Sequence, residues 1–137
     1  MKKGVVISGA LLILIAIILG AFAAHALKEI LSQSSIASFE TGVRYQMYMG
    51  LAILMLGLNY HKFRKKSFGL FYWLIFSGVI LFSFSIYALV LSDYFMLFSL
   101  RKILGPITPL GGSLMIVGWA VFCIHFIRSS KDNENDI

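Results

Sequence analysis

The chain has 137 residues, 59% of them hydrophobic and only 13% charged, with a net charge of +6 and a mean hydropathy of +0.88. So few charges cannot cover a water-soluble exterior at this size, which excludes a soluble globular domain and makes lipid the expected solvent. The basic residues sit in short runs beside apolar segments, without a basic, aromatic-interleaved surface, so they read as topology signals and not as a nucleic-acid site.

In chain order, the first apolar segment covers 4–27, behind Lys2 and Lys3. Ala21-Phe22-Ala23 resembles a signal cleavage site. The run is longer than the ~7–15 residues of a signal core, and the remainder of the chain is not a soluble mature protein, so the segment is expected to stay as a membrane helix. Residues 28–38 place Leu27, Ile30 and Leu31 at helical spacing and predict a short amphipathic piece on the membrane surface. The second helix is predicted over 39–60, with Glu40, Arg44 and Gln46 in its first two turns. A tight basic turn, 61–66, leads to a third helix over 67–92 without a charged residue. Residues 93–105 combine Asp93, Arg101 and Lys102 with an apolar stretch, 94–98, too short to span and suited to the interface. The fourth helix is predicted over 106–127, followed by a frayed polar tail, 128–137. Strand alternation is absent, and backbone in hydrocarbon must bond internally. The expectation is an all-α integral membrane four-helix bundle forming one domain, 1–137.

Orientation follows from Lys and Arg. With the N-terminus inside, the inner pieces hold Lys2, Lys3, Lys62, Arg64, Lys65, Lys66, Arg128 and Lys131, and the outer loops hold Lys28, Arg101 and Lys102. This bias predicts both termini inside.

Depth along the helices then brings polar groups together in the outer leaflet. His25 ends the first helix, and Glu40, Arg44 and Gln46 begin the second. Ser83, Ser85 and Tyr87 lie toward the outer end of the third helix, and Thr108 at the start of the fourth. An intramembrane arginine needs a partner, a route to the interface or a polar cavity, and Glu40, four residues earlier, is its natural partner. The plainer reading of this cluster is a structural ion pair and interhelical hydrogen bonds; the sharper one is a ligand site. Pro106, Pro109, Gly111 and Gly112 predict an irregular start to the fourth helix, of the kind that forms substrate sites in transporters, although a proline-led helix start is the plainer reading.

Ala16, Gly20 and Ala24 recur every four residues, a stripe that lets a second helix approach closely, within the bundle or from another copy. Gly111 and Gly118 make a weaker seven-residue stripe. The single cysteine, Cys123, allows no intramolecular disulfide and is expected to be buried and inert.

At these same residues the chain resembles a known family. Residues 20–27 (GAFAAHAL), 41–48 (TGVRYQMY) and 104–112 (LGPITPLGG) look like the three signatures of the YgdD/YwdK-like family of small membrane proteins, also called domain of unknown function 423. The resemblance covers nearly the whole chain in the right order. It implies a four-helix protein of the bacterial plasma membrane and implies no established activity, cofactor or substrate. Ala23 and Phe84 stand where the family usually has glycine, which puts close helix contacts there in doubt. Met49 stands where a histidine often follows the second tyrosine, so chemistry needing that histidine is absent.

An enzyme is not expected: there is no Ser-His-Asp spacing, phosphate loop, paired acids or His/Cys metal cluster, and His25, His61 and His125 fall at opposite ends of the helices. Neither a metal nor a cofactor is expected. The leading expectation is a structural or interaction protein acting in envelope integrity, with the lipid bilayer and a homo-oligomer or larger membrane complex as partners. The alternative is a small transporter or channel subunit with an outer-leaflet polar site.

Overall fold

The computed structural model describes residues 1–63 and 65–134, whose secondary structure is entirely helical. Helix α1, Lys3–Phe22, continues through a π-helical turn, Ala23–Leu27, and a last α-helical turn, Lys28–Ile30. Leu31 and Ser32 are extended and reverse the chain. Ser32 caps the next helix, its Oγ accepting the Ser35 N–H at 3.2 Å. Helix α2 is Gln33–Leu58, so the surface piece expected over 28–38 does not exist. With Ser32 satisfying the free amide of Ser35, helix starts six residues earlier than the apolar pattern suggested.

A 3-10 turn, Tyr60–Lys62, leads toward α3, Lys65–Tyr94. The end of α3 is closed by two reverse bonds: the Leu97 N–H to the Ser92 carbonyl at 2.8 Å and the Met96 N–H to the Asp93 carbonyl at 3.2 Å. This termination needs a left-handed residue, and Met96 (φ 58°) fills a position that favours glycine. The apolar stretch 94–98 forms the end of α3 and the turn into a short α4, Phe98–Leu104, and α5 runs over Ile107–Glu134. The irregular start expected at Pro106, Pro109, Gly111 and Gly112 is absent. Pro106 precedes the helix, and Pro109 lies in its first turn, where an amide would have no intrahelical partner anyway. The backbone is helical through Gly111 and Gly112 and on past Ile127, where a frayed tail was expected; residues 135–137 lie outside the described ones.

Among the described residues, three segments are long and apolar enough to cross a membrane: Lys3–Ile30, Ser67–Tyr94 and Ser99–His125. Helix α2 is long enough but less apolar, because it carries Glu40, Arg44 and Gln46. Packing explains how it carries them. Helix α1 lies against α2, α2 against α3, and α3 against α5, so α2 is covered on two sides. Buried positions on α2 (Ile36, Phe39, Gly42, Gln46, Met49, Ile53 and Leu56) advance by threes and fours, the spacing of interlocking helix rows.

Glycine sets the closest approaches. A Cβ on Gly9 would lie 2.5 Å from the Leu54 amide nitrogen and 2.8 Å from the Gly50 carbonyl oxygen. On Gly78 it would lie 2.9 Å from the Met115 nitrogen, and on Gly118 2.8 Å from the Ile75 side chain. The expected stripe of Ala16, Gly20 and Ala24 is only partly in contact. Ala16 is buried, Gly20 is half-buried and Ala24 is exposed, while Ala23 is buried against the cluster of Phe39, Tyr87 and Val90. The buried face follows ordinary helical spacing, Val5, Gly9, Leu12, Ala16 and then Ala23 two turns on, so a strict four-residue stripe drifts off it by Ala24. Toward the 3-10 turn the interior becomes aromatic, with Tyr60 and Phe68 rings 4.7 Å apart and Phe71 and Phe122 rings 4.9 Å apart.

Candidate functional site

The polar residues of the serine-rich end form two separate groups. The first is a sealed seam. Gln46 is completely buried; its Nε2 donates to the Leu12 carbonyl of α1 at 2.9 Å, and its Oε1 accepts from the Tyr87 hydroxyl of α3 at 2.9 Å. One side chain thus ties three helices. One turn away, the Ser83 hydroxyl donates to the Gly42 carbonyl at 2.9 Å. Gly42 is needed for this approach, since a Cβ there would stand 2.7 Å from the Tyr87 ring. The principal donors and acceptors of the seam are matched, as buried polar groups in a helical membrane protein require.

The second group lines an open cleft of about 640 Å³ between the start of α2, the end of α3 and the α4–α5 junction. Ser34, Ser38 and Thr41 face it from one stripe of α2, Thr108 from α5, and Ile86, Leu89 and Val90 form an apolar wall. The Ser38 and Thr41 hydroxyls donate to carbonyls four residues back, at 3.0 and 2.9 Å, and the Thr41 oxygen also accepts from Arg44. Thr108 meets Ser85 at 2.7 Å, closing α5 onto α3. At the rim, Arg101 forms an ion pair with Asp93: Nη2 donates to Oδ2 at 2.7 Å, and Nε lies 2.6 Å from Oδ1.

The sequence-derived cluster is therefore divided. Gln46 and Tyr87 meet in the seam, and Thr108 lines the cleft. His25 is exposed on the π-helical turn and joins neither group. The expected Glu40–Arg44 pair is not formed. Glu40 is exposed, and Arg44, also exposed, donates from Nη2 to the Thr41 hydroxyl at 3.2 Å. The ion pair among the described residues is Asp93–Arg101, whose partners sit across the turn between α3 and α4. Cys123 is exposed on α5 and not buried. Sequence reasoning missed the cleft, although residues 34, 38 and 41 carry hydroxyls at helical spacing. Among the described residues, no group of three or more His, Cys, Asp or Glu side chains is placed to hold a metal ion.

Both groups fall almost wholly within one recognised segment. The family model described as Protein of unknown function (DUF423) matches residues 19–112. The chain belongs to this family. It is 40% identical over 121 residues to a UPF0382 membrane protein of Staphylococcus aureus, covering 87% of this chain and 91% of that relative. A UPF0382 membrane protein of Staphylococcus epidermidis is 39% identical over 128 residues, with 92% and 97% covered. One from Haemophilus influenzae is 37% identical over 116 residues, with 82% and 85% covered. No solved structure matches the chain. The relatives' names and the three apolar helices together make this DUF423 chain a helical membrane protein. Within the DUF423 segment lie Gln46, Ser83, Tyr87 and the cleft, while the seam's anchor on α1, the Leu12 carbonyl, lies just outside it.

Proposed function

We propose that this chain is a multi-pass protein of the bacterial plasma membrane that serves as a structural or interaction subunit in envelope integrity, and that it is not an enzyme. Helix α2 is the fourth crossing. Its 26 residues rise about 39 Å, more than the ~30 Å hydrocarbon core, and its deepest polar side chain is bonded to the helices on either side. The four helices form an antiparallel bundle with both termini inside, in keeping with the basic runs beside the first helix and after the second.

The observation that carries the interaction reading is the seam. Gln46, Tyr87 and Ser83 spend their hydrogen bonds on helix–helix contacts, and Gln46 and Ser83 are completely buried. Outside it, α1 presents Ile7, Leu11, Leu14, Ile18 and Phe22 as an exposed apolar face suited to lipid or to another membrane helix. A photoreactive residue at Leu14 or Ile18 is expected to trap a second copy or a membrane partner in cells. Deleting the gene is expected to raise sensitivity to detergent. Absence of both a crosslink and a permeability change would defeat the reading. Orientation is tested separately: Lys62→Cys should react with a membrane-impermeant maleimide only after the cells are opened.

A second reading, a ligand site serving transport, is favoured by the cleft: it is open, lined by hydroxyls and close to Arg101. It places the ligand on Ser34, Ser38, Thr41 and Thr108, not around Arg44 and His25. Purified protein in liposomes would have to carry a solute, with flux reduced by Ser38→Leu. No flux across a panel of ions, polyols and organic anions removes this reading.

A further inference from the structure

We propose that a furrow between α2 and α5 binds one acyl chain of an anionic phospholipid, with its headgroup at Lys62. The two helices both rest on α3 but scarcely touch each other, and the gap between them holds two cavities that share Trp119. The cavity nearer the serine end, about 360 Å³, is bounded by Tyr45, Met49, Phe82 and Met115. The one nearer the basic turn, about 410 Å³, is bounded by Ala52, Leu56, Asn59, Phe71, Phe122 and Lys62.

Three features select this occupant. The lining is apolar until its last turn, where Asn59 and Lys62 supply an amide and a cation. That is the polarity order of a lipid, and it runs in the direction of the basic 61–66 turn, where the sequence concentrates positive charge. The furrow is also deep enough for one acyl chain of a leaflet: from Asn59 to Tyr45 its α2 wall rises about 21 Å, more than half of a ~30 Å hydrocarbon core. The floor is formed by α3, which packs closely against α5 through Gly78 and Gly118, so a chain lying there meets a fixed wall. The site depends on the helices being embedded in lipid, and not on the partner role proposed above.

The two tryptophans make the test internal. Trp119 shares both cavities, whereas Trp73 is exposed elsewhere, on α3. Single-tryptophan proteins, Trp73→Phe and Trp119→Phe, are reconstituted into vesicles containing a minor fraction of brominated phosphatidylglycerol or of brominated phosphatidylcholine. Trp73 should be quenched alike by both, which establishes embedding alone. Trp119 should respond to the brominated anionic lipid with roughly five-fold higher apparent affinity, the preference one basic residue confers near a membrane surface. Lys62→Gln should abolish that preference while leaving quenching itself, and Ala52→Phe should lower quenching of Trp119 without changing Trp73. Equal quenching of Trp119 by both headgroups overturns the proposal in favour of ordinary boundary lipid. Quenching of Trp73 with none at Trp119 overturns it in favour of a furrow covered by protein. Failure at both tryptophans refutes embedding itself.

Discussion

The α1–α2 and α3–α5 pairs solve the same problem with different means. In each pair, glycines bring backbones together: Gly9 against Gly50 and Leu54 in the first, Gly78 and Gly111 against each other's helices in the second. Only the first pair adds a deeply buried polar bond, from Gln46 to the Leu12 carbonyl. The second adds rings, with Phe71 edge-on to Trp119 at 5.5 Å and 4.9 Å from Phe122, and at one end the Ser85–Thr108 contact. Lipid removes the hydrophobic incentive for helices to associate, so close van der Waals contact must act in both pairs. The polar bond in the first pair adds specificity, because Gln46 is satisfied only when α1, α2 and α3 are all in place. The difference predicts that the pairs respond alike to steric change and unlike to polar change.

The largest effects are therefore expected to be equal. Gly9→Ala and Gly111→Ala each direct a methyl at backbone of the facing helix, which cannot turn aside as a side chain can. Each is expected to lose roughly 3 kcal/mol, the upper range for overpacking, measured by unfolding in mixed detergent micelles. A difference of more than about 1.4 kcal/mol, a tenfold change in the equilibrium, would show that one pair is not glycine-packed as described. Next comes Gln46→Leu, which leaves the buried Tyr87 hydroxyl without its acceptor and is expected to cost about 2 kcal/mol. Adding Tyr87→Phe should cost less than the two single changes summed, because the orphaned donor is removed with it. Strict additivity would mean that the two side chains do not meet.

How far all this could be seen in the sequence depends on which physical signal was involved. Long apolar runs reported the helices directly, because length and composition suffice for that. Gln46 and Tyr87 were flagged by depth alone, but depth does not report azimuth, so Arg44 and His25 were grouped with them although both are exposed. The stripe at Ala16, Gly20 and Ala24 assumed a strict four-residue period, whereas a helix face recurs by threes and fours and returns from Ala16 at Ala23. No residue type at Ala23–Leu27 announces the π-helical turn. Gly9, Gly50 and Gly57 were invisible as contacts because their partners lie on another helix, and spacing along one strand of sequence does not show pairing. The cleft was missed for the same reason: its walls come from α2, α3 and the α4–α5 junction, and the Asp93–Arg101 pair joins residues eight apart across a non-helical turn.

The smaller polar changes sharpen the contrast between the pairs. Ser85→Ala removes the only hydroxyl link observed from α3 to α5 among the described residues, but Thr108 lies beside an open cleft and can bond to water instead. Its cost is expected to be about 0.6 kcal/mol, well below that of Gln46→Leu. Smallest of all is Glu40→Gln. Helical spacing puts Glu40 one turn before Arg44, in the favourable order for an ion pair, yet the guanidinium turns to Thr41 and both charges are exposed. An exposed pair contributes little even when it forms. Glu40→Gln is therefore expected to change stability by less than about 0.5 kcal/mol, and the double-mutant cycle with Arg44→Gln to show no coupling. A coupling above about 1 kcal/mol, measured in a bilayer of low ionic strength, would mean that the two side chains close on each other in lipid, and that the first pair of helices is braced at its rim as well as at Gln46.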